Sequence, residues 1–226
     1  MKRFLPFLFV CVFMPVLGAS CKSAPVRNEY MTADIDPIEA GSISVGIPGA
    51  FGGRLRQIEA LVTYYPRTDT VVFQFPYQFI TYRQHWNTVN REILLAAISR
   101  YKSDFAAKNL PSLSRSRMRR AYGVLDSVTE WGTFKIMLNA RSRPRVELGY
   151  AFEQDSPYFV ITQREAKNEI AANDNSANTS LRISLYFTRA MADDLAAALD
   201  RNRLLSLLPN SGGVLPPGEV TPDDWE

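Results

Sequence analysis

The sequence predicts an α+β domain built as a single curved antiparallel sheet with two helices packed on one face, in the order β-β-α-β-β-β-β-β-α. Three observations predict it. Short segments in which every second residue is apolar recur along the chain, as in strands with one buried face. Most of them are separated by short turns, which permit only antiparallel pairing. Two longer segments repeat apolar residues at steps of three and four, as in helices that cover a sheet.

The first two predicted strands lie between residues 57 and 83. Residues 57–65 are rich in strand-forming side chains and end before Pro66. Residues 70–83 alternate apolar and polar side chains, which is the strongest strand signal in the chain. Pro76 lies within this second strand and cannot donate a backbone hydrogen bond. We therefore expect an edge strand or a bulge at that position.

A helix follows, with Asn87 or Thr88 as its N-cap and with its end near Asn109. Its apolar residues recur at three- and four-residue steps: Ile93, Leu94, Ala97, Ile98, Tyr101 and Phe105. This stripe predicts that one side of the helix packs against the sheet. Residues 112–120 are polar and basic, and we interpret them as a connector.

Five further strands and a second helix complete the predicted domain. The strands are expected at about 121–130, 133–140, 146–152, 158–162 and 181–187. The polar residues 166–179 predict an exposed loop or the tip of an extended hairpin, and Thr188 is expected to cap a helix at about 189–206. The order is similar to that of helix-grip folds, in which a meander holds a carboxyl-terminal helix. A small closed barrel of the lipocalin sort is the alternative.

The chain begins like an export signal. Two basic residues precede an apolar run at 4–17, which is too short to cross a hydrocarbon core of about 30 Å as a helix. The sequence Leu-Gly-Ala-Ser-Cys at residues 17–21 resembles the lipobox of bacterial lipoproteins. This resemblance implies removal of residues 1–20, acylation of Cys21, and a lipid anchor in the bacterial cell envelope. Simple secretion after cleavage by an ordinary signal peptidase is the alternative.

The cysteines and the charge agree with an exported protein. Cys11 lies in the signal, and no cysteine follows Cys21, so the predicted mature protein has no intramolecular disulfide. The 26 basic and 23 acidic residues give a net charge of +3, but losing Lys2 and Arg3 leaves 24 and 23, or +1. The composition therefore does not favour nucleic acid as a partner. Lys22 is not the Asp that retains enterobacterial lipoproteins in the inner membrane, so the resemblance implies the outer membrane.

Four segments make up the predicted organisation. They are a signal peptide at 1–20, a flexible tether at 21–53 that carries the acylated cysteine, an α+β domain at 54–208 and a flexible Pro/Gly-rich tail at 209–226. The glycine-rich piece Gly46–Gly53 is interpreted as a hinge, because it lacks the GxGxxG and GK[ST] patterns of phosphate-binding loops.

No motif of known chemistry occurs in the predicted domain. His85 is the one histidine, and no cysteine, GxSxG or HExxH pattern follows Cys21 to supply a nucleophile or a metal partner. We therefore predict no catalytic residue, no metal site and no cofactor.

Two sets of residues are candidates for binding. Arginines in two groups suit an anion or an acidic partner, because guanidinium groups bind phosphate and carboxylate through paired donors. They are Arg115, Arg117, Arg119 and Arg120, then Arg141, Arg143 and Arg145. A second set is aromatic and can line an apolar pocket, although a hydrophobic core is the simpler interpretation. It consists of Tyr77, Tyr82, Trp86 and Tyr101.

These observations predict a lipid-anchored, non-enzymatic protein of the cell envelope whose domain binds a partner protein or an apolar ligand. An envelope hydrolase or transferase with a carboxylate-based site is the second hypothesis, and a structural subunit of an envelope assembly is the third. The space between sheet and helices distinguishes them. An open cavity, two converging carboxylates or an exposed sheet edge would each favour a different one.

Overall fold

The computed structural model describes residues 36–49, 54–111, 115–132, 138, 140–170 and 178–208. The predicted signal peptide, the acylated Cys21 with the first part of the tether, and the predicted tail at 209–226 lie outside these residues. No helix in the described part of the chain is long and apolar enough to cross a membrane.

Twelve strands, four α-helices and a short 3-10 helix at Pro66–Thr68 make up the described fold. The strands are β1 (Ile38–Pro48), β2 (Leu55–Tyr65), β3 (Thr70–Tyr77), β4 (Ile80–Trp86), β5 (Gly123–Asp126), β6 (Val128–Gly132), β7 (Ala140–Ser142), β8 (Arg145–Glu153), β9 (Ser156–Gln163), β10 (Ala166–Lys167), β11 (Thr179–Ser180) and β12 (Ile183–Phe187). The helices are α1 (Thr88–Ala106), α2 (Arg115–Met118), α3 (Arg189–Leu199) and α4 (Arg201–Ser206). The fold is therefore α+β, as predicted.

Ten of these strands form one curled antiparallel sheet in the order β5-β8-β9-β12-β1-β2-β3-β4-β6-β7, and β10 pairs with β11 beside it. Ser127 alone separates β5, at one end of this order, from β6 near the other end. Asp126 faces Arg145 and Thr129 faces Ser142, so the register continues across Ser127 as one bent hairpin. The sheet must curl until its two ends approach each other.

The core lies between this sheet and the two long helices. α1 contacts β4, β5, β8 and β9, while α3 contacts α1, β1, β9 and β12. Tyr101 of α1 packs on Phe159 of β9, with ring centroids 5.6 Å apart, and Phe159 packs in turn on Phe187 at 6.3 Å. All three rings are fully buried.

Several local predictions are confirmed. The strand predicted at 57–65 is β2, and the first predicted helix is α1. The Asn87 side chain caps α1 by accepting a hydrogen bond from the backbone of Asn90. Thr188 caps α3 by accepting from the backbone of Met191. The predicted second helix is longer than α3, because the chain leaves helical geometry at Asp200, whose side chain then caps α4.

The predicted tether is wrong in its second part, because residues 38–48 form β1 inside the sheet. β1 pairs with β2 along its length and meets β12 where Gly46 faces Tyr186. A Cβ atom at Gly46 would lie 3.2 Å from the carbonyl oxygen of Tyr186, so this glycine allows a close strand approach. Gly46 also faces Gln57 of β2, so the predicted hinge at Gly46–Gly53 begins inside a paired strand.

The predicted long strand at 70–83 is a hairpin instead. β3 and β4 are joined by Gln78 and Phe79, whose φ angles of 48° and 66° reverse the chain. The predicted order of elements therefore gains β1 and this extra strand before α1. β3 is not an edge strand, but β2 pairs with it no further than Gln74, so exposed Pro76 lies beyond that ladder.

The second half of the sheet also departs from a simple meander. The predicted strand at 121–130 bends at Ser127 into β5 and β6, which pair with different neighbours. The predicted strand at 133–140 lies mostly outside the described residues, and β7 begins at Ala140. Residues 166–179 start and end a small hairpin, β10 with β11, in agreement with one of the two expectations for that segment.

Candidate functional site

A pocket of about 90 Å³ opens where β3, β4 and β6 meet the start of α1. Its lining residues are Thr70, His85, Asn87, Asn90, Asp126, Ser127, Val128 and Arg143. Seven of these eight side chains are polar. At about 30 Å³ for each water molecule, the space suits a carboxylate or another group of a few heavy atoms.

Hydrogen bonds between distant segments build this pocket. Asn90 Nδ2 donates to the carbonyl oxygen of Asp126 at 3.0 Å, which ties the first turn of α1 to the end of β5. Ser127 Oγ donates to the carbonyl oxygen of His85 at 2.7 Å, and its backbone N–H donates to that of Pro144. The bend between β5 and β6 is therefore held on both sides, and the pocket is preformed.

His85 and Glu130 form a buried imidazole–carboxylate contact beside the pocket. His85 Nε2 lies 3.2 Å from Glu130 Oε2, with side-chain exposures of 4% and 15%. Burial alone would raise the pKa of Glu130, but the hydrogen bond and charge of His85, with Arg83 and Arg141, lower that pKa below its ordinary value of 4.5. A carboxylate in this position orients the imidazole through the hydrogen bond between them.

Changing Glu130 to Gln is expected to lower the free energy of unfolding by about 1–3 kcal/mol at neutral pH, because a charge-assisted hydrogen bond is lost. The folded-state pKa is lowered, so this contribution exists above pH 4.5 and disappears as the pH falls through the folded-state value. The free energy of unfolding in urea should therefore differ between wild type and variant at pH 7, and this difference should be smaller at pH 3. A constant difference would contradict this assignment.

A buried ion pair lies next to the pocket and was missed by the sequence analysis. Arg91 Nη2 lies 2.5 Å from Asp69 Oδ1, and the two side chains are 3% and 8% exposed. Asp69 also accepts hydrogen bonds from Tyr64 Oη at 3.1 Å and Thr88 Oγ1 at 2.8 Å. One signal was present in the sequence. Arg91 precedes Leu94 by three residues and so shares the buried side of α1.

The first predicted arginine group serves the fold at one position and is exposed at another. Arg120 Nε lies 2.9 Å from Glu147 Oε1, which Arg164 Nη2 also contacts at 2.9 Å. Arg117 is exposed, Arg119 is half-buried, and the side chain of Arg115 lies outside the described residues.

The second arginine group reaches the pocket. Arg143 lines it with a side chain that is 60% exposed and lies 3.7 Å from Glu169. The charge of Arg141 contributes to lowering the pKa of Glu130. Arg145 is exposed and lies opposite Asp126 in the sheet. The outer face of β7 and β8 therefore combines predicted arginines with carboxylates.

The four aromatic candidates are core residues or lie at the edge of the core. Tyr82, Trp86 and Tyr101 are fully buried, and Tyr77 is half-buried with its ring 6.4 Å from that of Tyr82. Burial raises the pKa of both Tyr82 and Tyr101 to about 12. Trp86 packs on Phe73 at 5.9 Å. These rings fill space between sheet and helices.

The described residues contain no group of three potential metal ligands. The side chains that line the pocket offer more hydrogen-bond donors than charged acceptors. The imidazole of His85 and the guanidinium of Arg143 can therefore bind a negatively charged group.

The chain is similar to a protein family and to a protein of known sequence. A family model described as "Uncharacterised Treponema protein" matches residues 42–206. An uncharacterized protein of Treponema pallidum (strain Nichols) is 25% identical over 193 residues, which cover 85% of this chain and 66% of that relative. No solved structure matches the chain. The family match covers the pocket, the buried ion pair and nearly the whole sheet.

Proposed function

We propose that this chain, which belongs to the family described as uncharacterised Treponema protein, is a lipid-anchored protein of the bacterial cell envelope whose α+β domain binds a partner. The anchor is acylated Cys21, and the expected location is the outer membrane. The proposal for the anchor is supported by the basic start, the short apolar run and the lipobox-like sequence that ends at Cys21.

The polar pocket beside His85 is the observation that carries the binding role. A partner protein is favoured over an apolar ligand, because Tyr82, Trp86 and Tyr101 are packed into the core. We infer that the partner presents a carboxylate side chain, which Arg143 and His85 attract and which Asn87 and Asn90 can hydrogen-bond. We also propose that α1 and α3 pack on the same, concave face of the sheet. The outer face is then available to the partner.

An envelope hydrolase or transferase is the second candidate. The observation that favours it is the contact of 3.2 Å between His85 and Glu130 beside an open pocket, since a carboxylate-oriented imidazole can act as a general base. This function requires turnover of a test ester or phosphate ester that disappears in His85→Ala. A binding module requires no turnover and keeps the crosslink described next.

One experiment tests both parts of the leading proposal. The chain is exported from a bacterial host with a photo-crosslinking amino acid in place of Arg145, which is exposed opposite the pocket residue Asp126 and leaves Arg143 intact. The control carries it in place of Lys102, which is 44% exposed on α1. Mass spectrometry of the mature protein should find an amino-terminal Cys21 carrying acyl chains, which Cys21→Ala abolishes. Irradiation should give a discrete crosslinked protein from position 145 and none from position 102. An unacylated mature terminus would contradict the anchor, and equal crosslinking at both positions would contradict the binding site.

A further inference from the structure

The tip of the β3–β4 hairpin exposes a large aromatic side chain. Phe79 is 97% exposed, and both Gln78 and Phe79 have positive φ angles, 48° and 66°. Two-residue hairpin turns of this kind strongly prefer Asn-Gly, because a Cβ atom is crowded in the left-handed region. A phenylalanine is therefore held outward in a backbone conformation that disfavours it. Strained residues with exposed side chains are candidates for a function of their own.

Phe79 lies at an end of the sheet towards which one other large apolar side chain is exposed. We call it the hairpin end. Here the β1–β2 hairpin closes at Pro48 and Leu55, and the β3–β4 hairpin closes at Tyr77 and Ile80. Leu181, 36% exposed, lies two residues before β12 on the side of the sheet where this end lies. Val89, which is 61% exposed in the first turn of α1, lies at the opposite end.

The segments around the turns of these two hairpins carry arginines and no carboxylates. Residues 45–58 and 70–91 contain no Asp or Glu, although the whole chain has 23 acidic residues. Arg54 and Arg56 are exposed beside the closing pair of the β1–β2 hairpin. An apolar tip flanked by cations matches the interface of a membrane that contains anionic lipids, where aromatic rings enter the headgroup region and arginines meet phosphates.

The length of chain before β1 permits this contact. Sixteen residues separate Cys21 from Ile38, where β1 begins at the end opposite the hairpin end. At about 3.4 Å for each residue they can span roughly 54 Å, whereas the eleven residues of β1 span roughly 37 Å. A protein anchored at Cys21 can therefore turn its hairpin end toward the same membrane.

We propose that the hairpin end is a second membrane contact, in which Phe79 enters the interface of an anionic lipid surface and Arg54 and Arg56 contact lipid phosphates. The inference rests on the proposed anchor for its setting. The anchor keeps the domain at a high effective concentration near the surface, so that a contact made by few side chains is enough to orient it. This orientation presents the opposite end and the pocket away from the membrane.

The test uses a chain that begins at Lys22, which keeps every described residue and lacks the acylation site. Its partition onto vesicles of phosphatidylglycerol and phosphatidylcholine is measured by sedimentation and compared with that of Phe79→Asn. Asparagine tolerates the left-handed region, so this variant keeps the turn. We expect the partition coefficient of the variant onto these vesicles to be lower by roughly tenfold or more. The reason is that one aromatic ring buried in the membrane interface is lost. Val89→Asn is the matched control and should partition within about twofold of the wild type.

Charge and self-association complete the test. Arg54→Ser and Arg56→Ser should each lower partition about fivefold, and vesicles of phosphatidylcholine alone should bind least. Equal binding of wild type and Phe79→Asn, or no binding of either, overturns the proposal. The alternative occupant of the tip is a second copy of this chain, which sedimentation velocity can detect. A dimer that Phe79→Asn dissociates, together with no vesicle binding, would overturn the membrane contact and show that the tip forms a dimer interface. Because this chain has no acyl group, the outcome is independent of whether Cys21 is acylated in cells.

Discussion

Replacing Asp69 with alanine is expected to lower the free energy of unfolding of this domain by about 3–5 kcal/mol, because the change leaves the Arg91 guanidinium charged and buried without its partner. Asp69 binds Arg91 and Thr88, which both belong to α1, and Tyr64 of β2. Its backbone is left-handed, with φ at 45°. Removing this carboxylate therefore loosens the corner between β2 and β3 and the start of α1 together.

The matched control is an ion pair at the surface. Lys102 and Asp193 join α1 to α3 with side chains that are 44% and 47% exposed. Asp193→Ala should lower the free energy of unfolding by less than about 1 kcal/mol, because exposed pairs remain hydrated when broken. Both variants are measured by urea unfolding at pH 7. A similar small loss in both would show that Arg91 stays hydrated in the folded protein.

A double variant separates charge burial from packing. Asp69→Leu with Arg91→Met removes both charges and keeps much of the volume. Buried ion pairs replaced by apolar residues often lose little stability. We therefore expect the double variant to recover much of the stability lost in Asp69→Ala, and failure to recover would assign the loss to the hydrogen bonds of Tyr64 and Thr88.

Replacing Gly149 with alanine is expected to lower the free energy of unfolding by about 3 kcal/mol, with displacement of the segment that contains α2. A Cβ atom at Gly149 would lie 1.8 Å from the backbone oxygen of Met118 and 2.7 Å from the backbone carbon of Arg119. Backbone atoms cannot rotate away as a side chain can, so the segment must lift off β8. Arg120 then leaves Glu147, which has no exposed surface.

Two readouts test this effect. Urea unfolding measures the loss of stability, and limited trypsin digestion measures access to Arg117, Arg119 and Arg120, which should be cleaved faster in the variant. Gly46→Ala is the control, since its Cβ atom would lie 3.2 Å from Tyr186 in the same sheet, and a loss of about 1 kcal/mol is expected. Unchanged digestion of Gly149→Ala would show that the segment does not depend on this glycine.

The predictions that proved correct depend on neighbours in the chain. Asn87 and Thr188 cap helices through bonds to residues three positions away, so their role could be read locally. The alternation of β2 also reports on its own two faces. In contrast, alternation alone did not separate β3 from β4, because a turn formed by Gln78 and Phe79 lacks the Asn-Gly signal on which such predictions depend.

The candidate site was harder to predict than the fold. His85 is a single histidine without a motif, and its partner Glu130 lies on another strand that β4 meets only in the folded protein. Of the predicted arginines, Arg143 lines the pocket while Arg120 stabilises a buried carboxylate. Both positions are equally basic in the sequence. Their different roles follow from which carboxylate the sheet brings near each of them.

The sequence by itself determined the fold class and the caps of both long helices, because each of these follows from residue type and spacing over a few positions. Only the tertiary structure decided that β1 belongs to the sheet, that Ser127 carries the chain from one end of the sheet to the other, and that Arg91 pairs with Asp69. The physical reason is that these features are contacts between distant segments. A local pattern records that a side chain is buried, and the curl of the sheet decides which side chain it meets.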